Sequence, residues 1–361
     1  MSSISISSGV ASVIMNYYRN IDRNKVQFDF LYFNDDKITY EKEINKLGGK
    51  IYKIERPKIS KKSVLEIKNF FYAVRGKYSI LHNHEVYLNF ILSPLAKKNG
   101  FKAVITHSHT TSYSDKFISL IRNRFLCIPL KKQADYFMAC SKAAGSALYG
   151  VKYIKNNKVF ILNNAIDCEK FKYNEEKRGS IRKQLGIESK FVLGHVGRFN
   201  SQKNHKFLLK IFSEVLKRDK SSILLLVGDG PLFNEVKKLS QEMNLYNNII
   251  FLGRKENINE ILQGIDVFVL PSLYEGLPVI GVEAQCSGVN CIMSTNITDE
   301  VNICNSEFMD LNKSEKAWAE HIIALKGKKR DIDAWTKLYD ARFEIRSEAE
   351  NLKNFYIKIV N

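Results

Sequence analysis

The sequence predicts an α/β protein built from two doubly wound, Rossmann-like domains, and three observations support this prediction. Its 361 residues exceed one ordinary domain, whereas two domains of about 150 to 190 residues are a natural size. Hydrophobic residues make up 45% of the chain, which is enough for two globular cores. Short apolar runs alternate with amphipathic stretches along both halves, and this alternation is typical of parallel sheets covered by helices.

The first half shows this alternation from residue 13 onward. Because a doubly wound domain normally opens with a strand that becomes central, the sequence leads us to expect that the first strand of this domain is missing. Helices are predicted at residues 13–21, 42–47 and 64–75, with a further helix that ends near residue 98. Strands are predicted at residues 26–33, 51–54, 79–82, 103–106, 136–139 and 159–162. Ser141 is a candidate N-cap for the helix that follows.

The second half repeats the pattern with longer apolar runs. Strands are predicted at residues 191–196, 223–227, 249–252, 267–270 and 289–293. Helices are predicted at residues 206–216 and 318–325, and a terminal amphipathic helix at 346–360. The glycines of Gly228-Asp229-Gly230-Pro231 suit a tight turn between a strand and a helix.

Charge is distributed unevenly along the chain. Residues 1–172 hold 29 Lys and Arg against 13 Asp and Glu, so they carry most of the net charge of +18. This excess, which includes the run Arg56–Lys62, indicates attraction to an anionic membrane or to a pyrophosphate-bearing acceptor. Solubility and a lysine-rich codon bias explain it equally well. Nucleic acid is not expected as a partner, because no recognised binding module accompanies the charge.

Cysteines and apolar runs indicate the compartment. Six cysteines at irregular spacings, without a C-x-x-C pair, predict reduced thiols and neither a disulfide framework nor a metal site. No apolar run approaches the length of a membrane span, and MSSISISS lacks the features of a secretory signal. We therefore expect a cytoplasmic protein, peripheral at the inner face of the plasma membrane.

The stretch from Asp266 to Glu283, DVFVLPSLYEGLPVIGVE, is the centre of the predicted site. A buried strand is followed by a loop, and Pro278 suits the first turn of the next helix. The amides of Leu277, Val279 and Ile280 are then expected to be unpaired and to face an anion or a sugar hydroxyl. Glu275 and Glu283 bracket the loop, roughly 12 Å apart if the segment is helical. Carboxylates at this spacing could hold both ends of a nucleotide-sugar, although glutamates at this spacing are also common on solvated helices.

Two cations follow another strand of the second half. Arg198 and Lys203 lie five residues apart after the strand that ends near Val196. Such a pair can neutralise the charge of a leaving diphosphate without a metal, although similar pairs are frequent in proteins.

Four histidines follow strands of the first half: His82, His84, His107 and His109. No carboxylates complete a zinc-ligand spacing with them. A histidine at a strand end is more often a polar cap beside a cleft than a catalytic residue.

Several of these motifs together resemble those of one family. EGLPVIGVE resembles the E-x7-E motif of the retaining family 4 glycosyltransferases, and the chain is identified as similar to members that build bacterial capsules and exopolysaccharides. The family's G-R-x4-K, GDGP and FLG elements occur in the expected order, and NNAID resembles its interdomain linker. The loop SGVA departs from the family's GGAE, because Ser8 and Ala11 replace the first glycine and the glutamate.

The resemblance implies the GT-B arrangement, in which two Rossmann-like domains face a cleft. Residues 1–165 would bind the acceptor, with the helix 346–361 packing back on them, and residues 166–345 would bind the nucleotide-sugar. The implied reaction transfers a sugar with retention from a nucleoside diphosphate, expected to be UDP, to a hydroxyl of a lipid-linked or growing surface polysaccharide. No metal or other cofactor is expected.

The resemblance also assigns roles to residues. His109, Arg198, Lys203 and Glu275 would be catalytic, and His107 competes with His109 for the histidine position near the transferred sugar. Glu275 would hold the sugar hydroxyls, Glu283 the ribose, and Arg254 would lie beside the base. The complete donor-binding set would be Gly9, Gly197, Arg198, Lys203, Gly228, Arg254, Glu275, Gly276, Leu277, Pro278 and Glu283.

Two other functions are compatible with the sequence. One is a different enzyme of the same fold, such as a nucleotide-sugar epimerase or a phosphorylase. The other is a non-catalytic partner subunit of a glycosyltransferase, an alternative motivated by the altered SGVA loop and the missing opening strand.

Overall fold

The structure is a computed structural model that describes residues 1–6, 8–34, 38–56, 61–111, 113, 117–304 and 306–361, with only the backbone of residues 61, 62 and 117. Part of the basic run Arg56–Lys62 therefore lies outside the described residues. The chain forms two compact units. The first unit contains Met1–Ala165 and Ile345–Asn361, and the second contains Ile166–Glu344.

The first unit contains six strands and nine α-helices among its described residues. The strands are β1 (Phe30–Tyr32), β2 (Ile51–Lys53), β3 (Ile80–Asn83), β4 (Ala103–Ser108), β5 (Tyr136–Ala139) and β6 (Val159–Ile161). The helices are α1 (Gly9–Asn20), α2 (Glu41–Lys46), α3 (Lys61–Ala73), α4 (Asn89–Lys98), α5 (Phe117–Leu126), α6 (Leu130–Gln133), α7 (Lys142–Tyr149), α8 (Val151–Lys155) and the C-terminal α17 (Ile345–Val360), with a 3-10 turn at Val86–Leu88.

These strands form two parallel sheets. One has two strands in the order β1-β2, and the other has four in the order β3-β4-β5-β6. Helices α3 and α4 pack their apolar faces on the sheets around Phe71 and Leu92. Helix α17 packs against α1, and the Tyr356 hydroxyl lies 2.5 Å from His82 Nδ1.

The second unit contains six strands and eight α-helices among its described residues. The strands are β7 (Val192–Val196), β8 (Ile223–Val227), β9 (Ile249–Gly253), β10 (Val267–Leu270), β11 (Asn290–Ser294) and β12 (Ser306–Met309). The helices are α9 (Cys168–Phe171), α10 (Glu175–Leu185), α11 (His205–Arg218), α12 (Phe233–Glu242), α13 (Ile258–Gly264), α14 (Val279–Cys286), α15 (Glu315–Ala324) and α16 (Ala334–Asp340), with 3-10 turns at Ser201–Lys203, Tyr246–Asn248 and Asp299–Val301.

A single parallel sheet organises the second unit. Its strand order is β12-β11-β10-β7-β8-β9, so the first strand along the chain is central and the chain winds outward from it in both directions. Gly194 in β7 allows this packing, because a Cβ there would lie 2.1 Å from the side chain of Ile265. Trp318 of α15 is fully buried against α11 in the core on one face of the sheet.

Most predicted elements are present, but some predictions were wrong. The strand predicted at residues 26–33 is reduced to β1, because pairing with β2 starts only at Phe30, whereas the Asp29 carboxylate accepts the Lys50 amide at 2.7 Å. The alternation of apolar and polar residues in this stretch still places Phe28 and Phe30 on the same side of the chain, because both rings contact the ring of Tyr18. Several elements were not predicted from the sequence, among them strand β12 and the helices α5, α10, α13 and α16.

The structure also shows the environment of the cysteine thiols and the lengths of the apolar helices. All six cysteines are buried and free, and burial raises the pKa of Cys127 and of Cys304 to about 12. Across the part of the chain that the structure describes, no helix has the length and apolarity needed to span a bilayer.

Candidate functional site

Three loops of the second unit follow strands at one edge of the sheet. They lie after β7 (residues 197–200), after β8 (228–232) and after β10 (271–278). Strand β7 pairs in parallel with both β8 and β10, so the carboxyl ends of all three strands meet at this edge. Ligands of open α/β sheets bind at this kind of edge, where the winding direction changes.

The first two loops are joined through their backbones. The Gly197 amide donates to the Val227 carbonyl at 2.9 Å, and the Phe199 amide donates to the Asp229 carbonyl at 3.0 Å. Gly228 has a φ of +135°, and a Cβ there would lie 2.0 Å from the Gly197 carbonyl oxygen. Glycine is therefore required at this position by both conformation and space.

Replacing Gly228 by Ala is expected to lower the free energy of unfolding by about 2 kcal/mol or more, because the methyl group meets backbone at a strained φ. Urea unfolding of the parent and the variant measures this change. Gly179→Ala is the matched control: Gly179 lies exposed in α10, where an added Cβ would meet no atom within 4 Å, and a gain of about 0.5–1 kcal/mol is expected there. Equal stability of the Gly228 variant and the parent would contradict this interpretation.

Lys203 and Glu275 form an ion pair across two of these loops. Lys203 Nζ lies 2.6 Å from Glu275 Oε1, and both side chains are mostly buried, with 14% and 12% of their surface exposed. Asn200 fixes the start of the 3-10 turn at Ser201–Lys203, since its side chain accepts the Lys203 amide at 3.2 Å. Gln202 Nε2 adds a contact of 3.3 Å to Glu275 Oε2. The sequence predicted both charged residues for the site but did not predict that they contact each other.

The loop after β10 is held on both sides. The Leu273 amide donates to the Gln202 carbonyl at 2.8 Å, and Asn296 Nδ2 donates to the Leu273 carbonyl at 3.0 Å. A parallel bridge joins Glu275 to Ile297. The position of the Glu275 carboxylate is therefore determined by three separate segments of the unit.

The start of α14 differs slightly from the prediction. Pro278 is the N-cap and not a residue of the first turn, because its ψ of 114° is extended and the helix begins at Val279. Leu277 is buried and has an interaction partner, so the prediction of an unpaired amide does not apply to it. Gly276 likewise has a partner. The amides of Val279 and Ile280 lie in the first turn, where they have no intrahelical acceptor.

Glu283 lies on α14 in a half-buried position. Burial raises the pKa of its carboxyl group to about 8, and the Lys170 ammonium only partly opposes this effect. The carboxyl group therefore carries a proton at neutral pH. A protonated carboxyl can donate one hydrogen bond as well as accept, which suits a hydroxyl group of a ligand.

Arg198, after β7, and Arg254, after β9, are exposed cations that follow strands of this sheet. Both side chains are exposed, and neither forms an ion pair within the described ranges. Gly9 lies elsewhere, in the first unit, as the exposed first residue of α1, where a Cβ would meet no atom within 4 Å. Ser8 caps that helix by accepting the Ala11 amide at 3.3 Å. The space around Gly9 therefore gives no steric reason for glycine.

Two histidines beneath the second unit's loops were missed by the sequence analysis. His195 of β7 contacts the Val269 carbonyl through Nδ1 at 2.8 Å, and its ring lies 4.7 Å from that of His205. Burial lowers the pKa of His195 to about 4 and of His205 to about 2, with a further decrease from the Lys203 charge. Both rings are neutral and pack below the loop that carries Lys203. The sequence contained one signal for His195, namely its position within an otherwise apolar strand.

The four predicted histidines form a cluster in the first unit. His82 Nε2 lies 3.1 Å from His107 Nδ1, and His84 Nδ1 lies 2.8 Å from His109 Nε2. The rings of His107 and His109 stack at 4.1 Å. Burial lowers the pKa of His82 and of His109 to about 3. Neutral imidazoles of this kind can hydrogen-bond to hydroxyl groups but are weak bases.

Three of these histidines could also hold a metal ion. Ligand atoms of His82, His84 and His107 lie within 4.8 Å of one another, and three imidazoles are a ligand set known for zinc. The Nε2 atom of His107 is buried without a partner among the described residues. The expectation that no metal is needed stays a prediction.

Comparison with known proteins gives matches in both halves of the chain. Residues 7–170 match the family described as Glycosyltransferase Family 4, and residues 177–336 match Glycosyl transferases group 1. EpsF of Bacillus subtilis (strain 168), described as a glycosyltransferase, is 36% identical over 322 residues, which cover 87% of this chain and 83% of that protein. The UDP-Gal:alpha-D-GlcNAc-diphosphoundecaprenol alpha-1,3-galactosyltransferase of Escherichia coli is 30% identical over 241 residues, covering 65% of this chain and 62% of that enzyme.

Solved structures show the same fold. The crystal structure of Anabaena HepE in complex with UDP and glucose superimposes with a TM-score of 0.80 at 15% identity, and the match covers 99% of this chain and 98% of that chain. The fold predicted from the sequence, GT-B with two parallel α/β units, is confirmed by this likeness.

Proposed function

The chain belongs to the family 4 glycosyltransferases, and we propose that it transfers a hexosyl group from a UDP-sugar to a hydroxyl of a lipid-linked or growing surface polysaccharide. That it is a glycosyltransferase follows from the family. The choice of UDP is supported by HepE, whose structure contains UDP and glucose. The lipid-linked acceptor is supported by the Escherichia coli relative, whose name specifies a diphosphoundecaprenol.

The Lys203–Glu275 ion pair carries the proposal for the donor site. It brings a cation and a carboxylate side by side at the carboxyl edge of the sheet, next to the start of α14. A nucleotide-sugar offers a matching pair of groups, since its diphosphate is anionic and its sugar hydroxyls donate hydrogen bonds. On binding, Lys203 would turn to the diphosphate and Glu275 would accept from the sugar hydroxyls. Glu283 would contact the ribose, and Arg254 would lie near the base.

The proposed reaction is a same-face substitution. The bond between the anomeric carbon and the phosphate oxygen breaks, and the acceptor oxygen attacks on the face from which the phosphate leaves. The acceptor proton passes to the departing phosphate oxygen, so configuration is retained without a covalent enzyme intermediate. Arg198 and Lys203 would stabilise the charge that develops on the diphosphate. Neutral His109 would position the sugar through hydrogen bonds, with no proton transfer required of it.

The acceptor is assigned to the first unit, because most of the net charge of +18 lies in residues 1–172. A basic surface attracts both the pyrophosphate of a lipid-linked glycan and the anionic membrane that holds it. On this proposal the enzyme works peripherally at the cytoplasmic face of the plasma membrane.

A screen of UDP-, GDP- and dTDP-sugars tests the proposed donor. Calorimetry measures binding, and the release of free nucleotide measures turnover. Saturable binding of a UDP-sugar with slow hydrolysis, lost in Glu283→Ala, is expected. The exposed Glu242→Ala on α12 is the control and should bind like the parent. If the folded protein binds no donor, the proposed donor site is wrong and the partner-subunit alternative gains support.

Arg198→Ala is expected to lower kcat by about 10²–10³-fold with little change in donor affinity, because its charge acts mainly on the leaving group. Steady-state kinetics with the identified donor separate the two effects. The exposed Lys238→Ala on α12 should leave both constants unchanged. Equal losses in kcat and in donor binding would contradict the assigned role.

A further inference from the structure

Helix α5 of the first unit presents an apolar face outward. Ile118, Ile121 and Phe125 recur at spacings of three and four residues, so they lie on one face of the helix. Ile128 lies two residues beyond the helix, and all four side chains are between 41% and 82% exposed. Single exposed apolar residues are ordinary on protein surfaces, but here four of the twelve large apolar residues exposed among the described residues lie within residues 118–128. We call these four residues the α5 stripe.

The opposite face of α5 holds the helix on the unit. Asn123 and Cys127 are buried. Asn123 Nδ2 donates to the Tyr113 carbonyl at 2.7 Å, and Cys127 Sγ lies 3.9 Å from the Val86 carbonyl oxygen. A polar side chain therefore faces the unit while two isoleucines and a phenylalanine face outward, which reverses the usual arrangement of an amphipathic helix on a globular domain. A fixed apolar face of this kind indicates a surface for a partner.

Cations surround the α5 stripe. Residues 116–134 contain five Lys or Arg and no Asp or Glu. At about 100° of rotation per helical residue, Arg122 and Arg124 lie on opposite sides of the stripe, and both are exposed. Lys131 and Lys132 are also exposed and follow shortly after it. None of these four cations forms an ion pair with a described residue, so their charge is available to an anionic partner.

An anionic lipid surface matches this combination of groups. A helix that lies in a membrane interface buries an apolar stripe among the acyl chains and keeps cations at the level of the headgroups, where they meet lipid phosphates. A second copy of the chain is a poorer match, because a two-fold contact through the α5 stripe would bring Arg122 and Arg124 of both copies together. The charge of the rim therefore favours a membrane over self-association.

We infer that the α5 stripe docks the protein on an anionic membrane surface. Helix α5 lies parallel to the surface, the stripe enters the boundary between headgroups and acyl chains, and Arg122 and Arg124 bind lipid phosphates on either side. The inference deepens the proposed function and rests on the peripheral membrane location given there. It does not depend on the donor site, because residues 118–128 belong to the first unit and the donor loops to the second.

Cosedimentation with vesicles tests the docking surface. One set of vesicles is pure phosphatidylcholine, and the other contains about 30% phosphatidylglycerol, which supplies the negative charge. The parent is expected to bind the anionic vesicles, less tightly as salt is added, and to bind the neutral ones weakly. The double variant Ile118→Ser with Phe125→Ser should bind the anionic vesicles about 10–100-fold more weakly, and Arg122→Gln with Arg124→Gln about tenfold more weakly.

Two further variants serve as control and depth probe. Ile332→Ser removes an equally exposed isoleucine from the second unit and should bind vesicles like the parent. In Phe125→Trp, lipids with brominated acyl chains should quench the added fluorescence, with the parent protein as the blank. Quenching requires the side chain to lie below the headgroups, so it separates insertion from attraction by charge alone.

Three outcomes would overturn the inference. Parent protein that ignores anionic vesicles has no such surface, and a double apolar variant that binds like the parent docks elsewhere. Self-association of the parent, measured by light scattering and abolished in the double apolar variant, would identify a second copy as the occupant. Calorimetry with a UDP-sugar on the same samples keeps this result apart from the proposed donor, because a parent that binds donor but no vesicle fails only as a docking surface.

Discussion

Replacing Glu283 by Gln is expected to raise the free energy of unfolding at pH 8.5 while leaving it unchanged near pH 4. The pKa of this carboxyl is about 8 in the folded chain, against 4.5 for an ordinary glutamate. Between these values the unfolded chain releases a proton that the folded chain retains, so wild-type stability falls as the pH rises through this range. This loss of stability is complete above pH 8. It amounts to at most about 5 kcal/mol, because each unit of difference between the folded and unfolded pKa corresponds to about 1.4 kcal/mol.

Urea unfolding at pH 4.5, 6.5 and 8.5 measures the difference between Glu283→Gln and the parent. Glu242→Gln on the exposed side of α12 is the control, and its stability difference should not change with pH. If the stability difference between Glu283→Gln and the parent is also independent of pH, the pKa of the Glu283 carboxyl is not raised in the folded protein. Donor binding by the stabilised variant at pH 8.5 should nevertheless weaken, because at that pH the parent carboxyl is mostly ionised, and a neutral amide accepts more weakly from hydroxyl groups than a carboxylate does. Higher stability together with lower affinity would identify Glu283 as a residue kept for binding and not for folding.

Replacing Lys203 by Met is expected to reduce turnover by about 10²–10³-fold and to lower the free energy of unfolding by about 1–3 kcal/mol. The turnover effect follows from the loss of the cation proposed for the diphosphate. The stability effect has a different cause, because Glu275 would be left as a mostly buried carboxylate without its partner at 2.6 Å. Kinetics with the identified donor and urea unfolding measure the two effects separately.

A double-variant cycle separates the two contributions of the pair. Adding Glu275→Gln to Lys203→Met should restore most of the lost stability, since no unpaired charge remains. Turnover should stay low, because the amide does not replace the carboxylate toward the sugar. Recovery of turnover in the double variant would show that the pair acts only in folding. The surface pair Lys238 and Glu242 provides a matched cycle, for which an interaction energy below about 0.5 kcal/mol is expected.

The sequence predicts best those features that depend on neighbouring residues. The bounds of β8 and β10 are those predicted, since each is an apolar run with turn residues at its end. Ser141 is the N-cap that its position before an alanine-rich helix predicted, and its side chain accepts the Ala144 amide at 3.0 Å. The candidate site residues of the second unit follow strands at the edge where ligands of open α/β sheets generally bind, and their roles stay predictions.

Features that depend on distant residues were not predictable. The Lys203–Glu275 pair joins residues 72 positions apart, and no local pattern shows that the cation and the carboxylate are within contact distance. Strand β12 has a short, half-polar sequence whose strand conformation depends on pairing with β11. The pKa of Glu283 likewise follows from burial in the folded unit, which the local sequence of α14 did not show.

The contact between Lys203 and Glu275 has a consequence for the release of product. In the proposed cycle, the diphosphate of a bound nucleotide and the Glu275 carboxylate compete for the same ammonium group. Glu275 is always present at contact distance and is held there by Gln202, so it acts as a tethered competitor of the nucleotide. Once the sugar has been transferred and no longer holds Glu275, the carboxylate is free to take Lys203 back. The spent nucleotide would then leave a site whose charge is already balanced, and product inhibition would be limited in the proposed cycle.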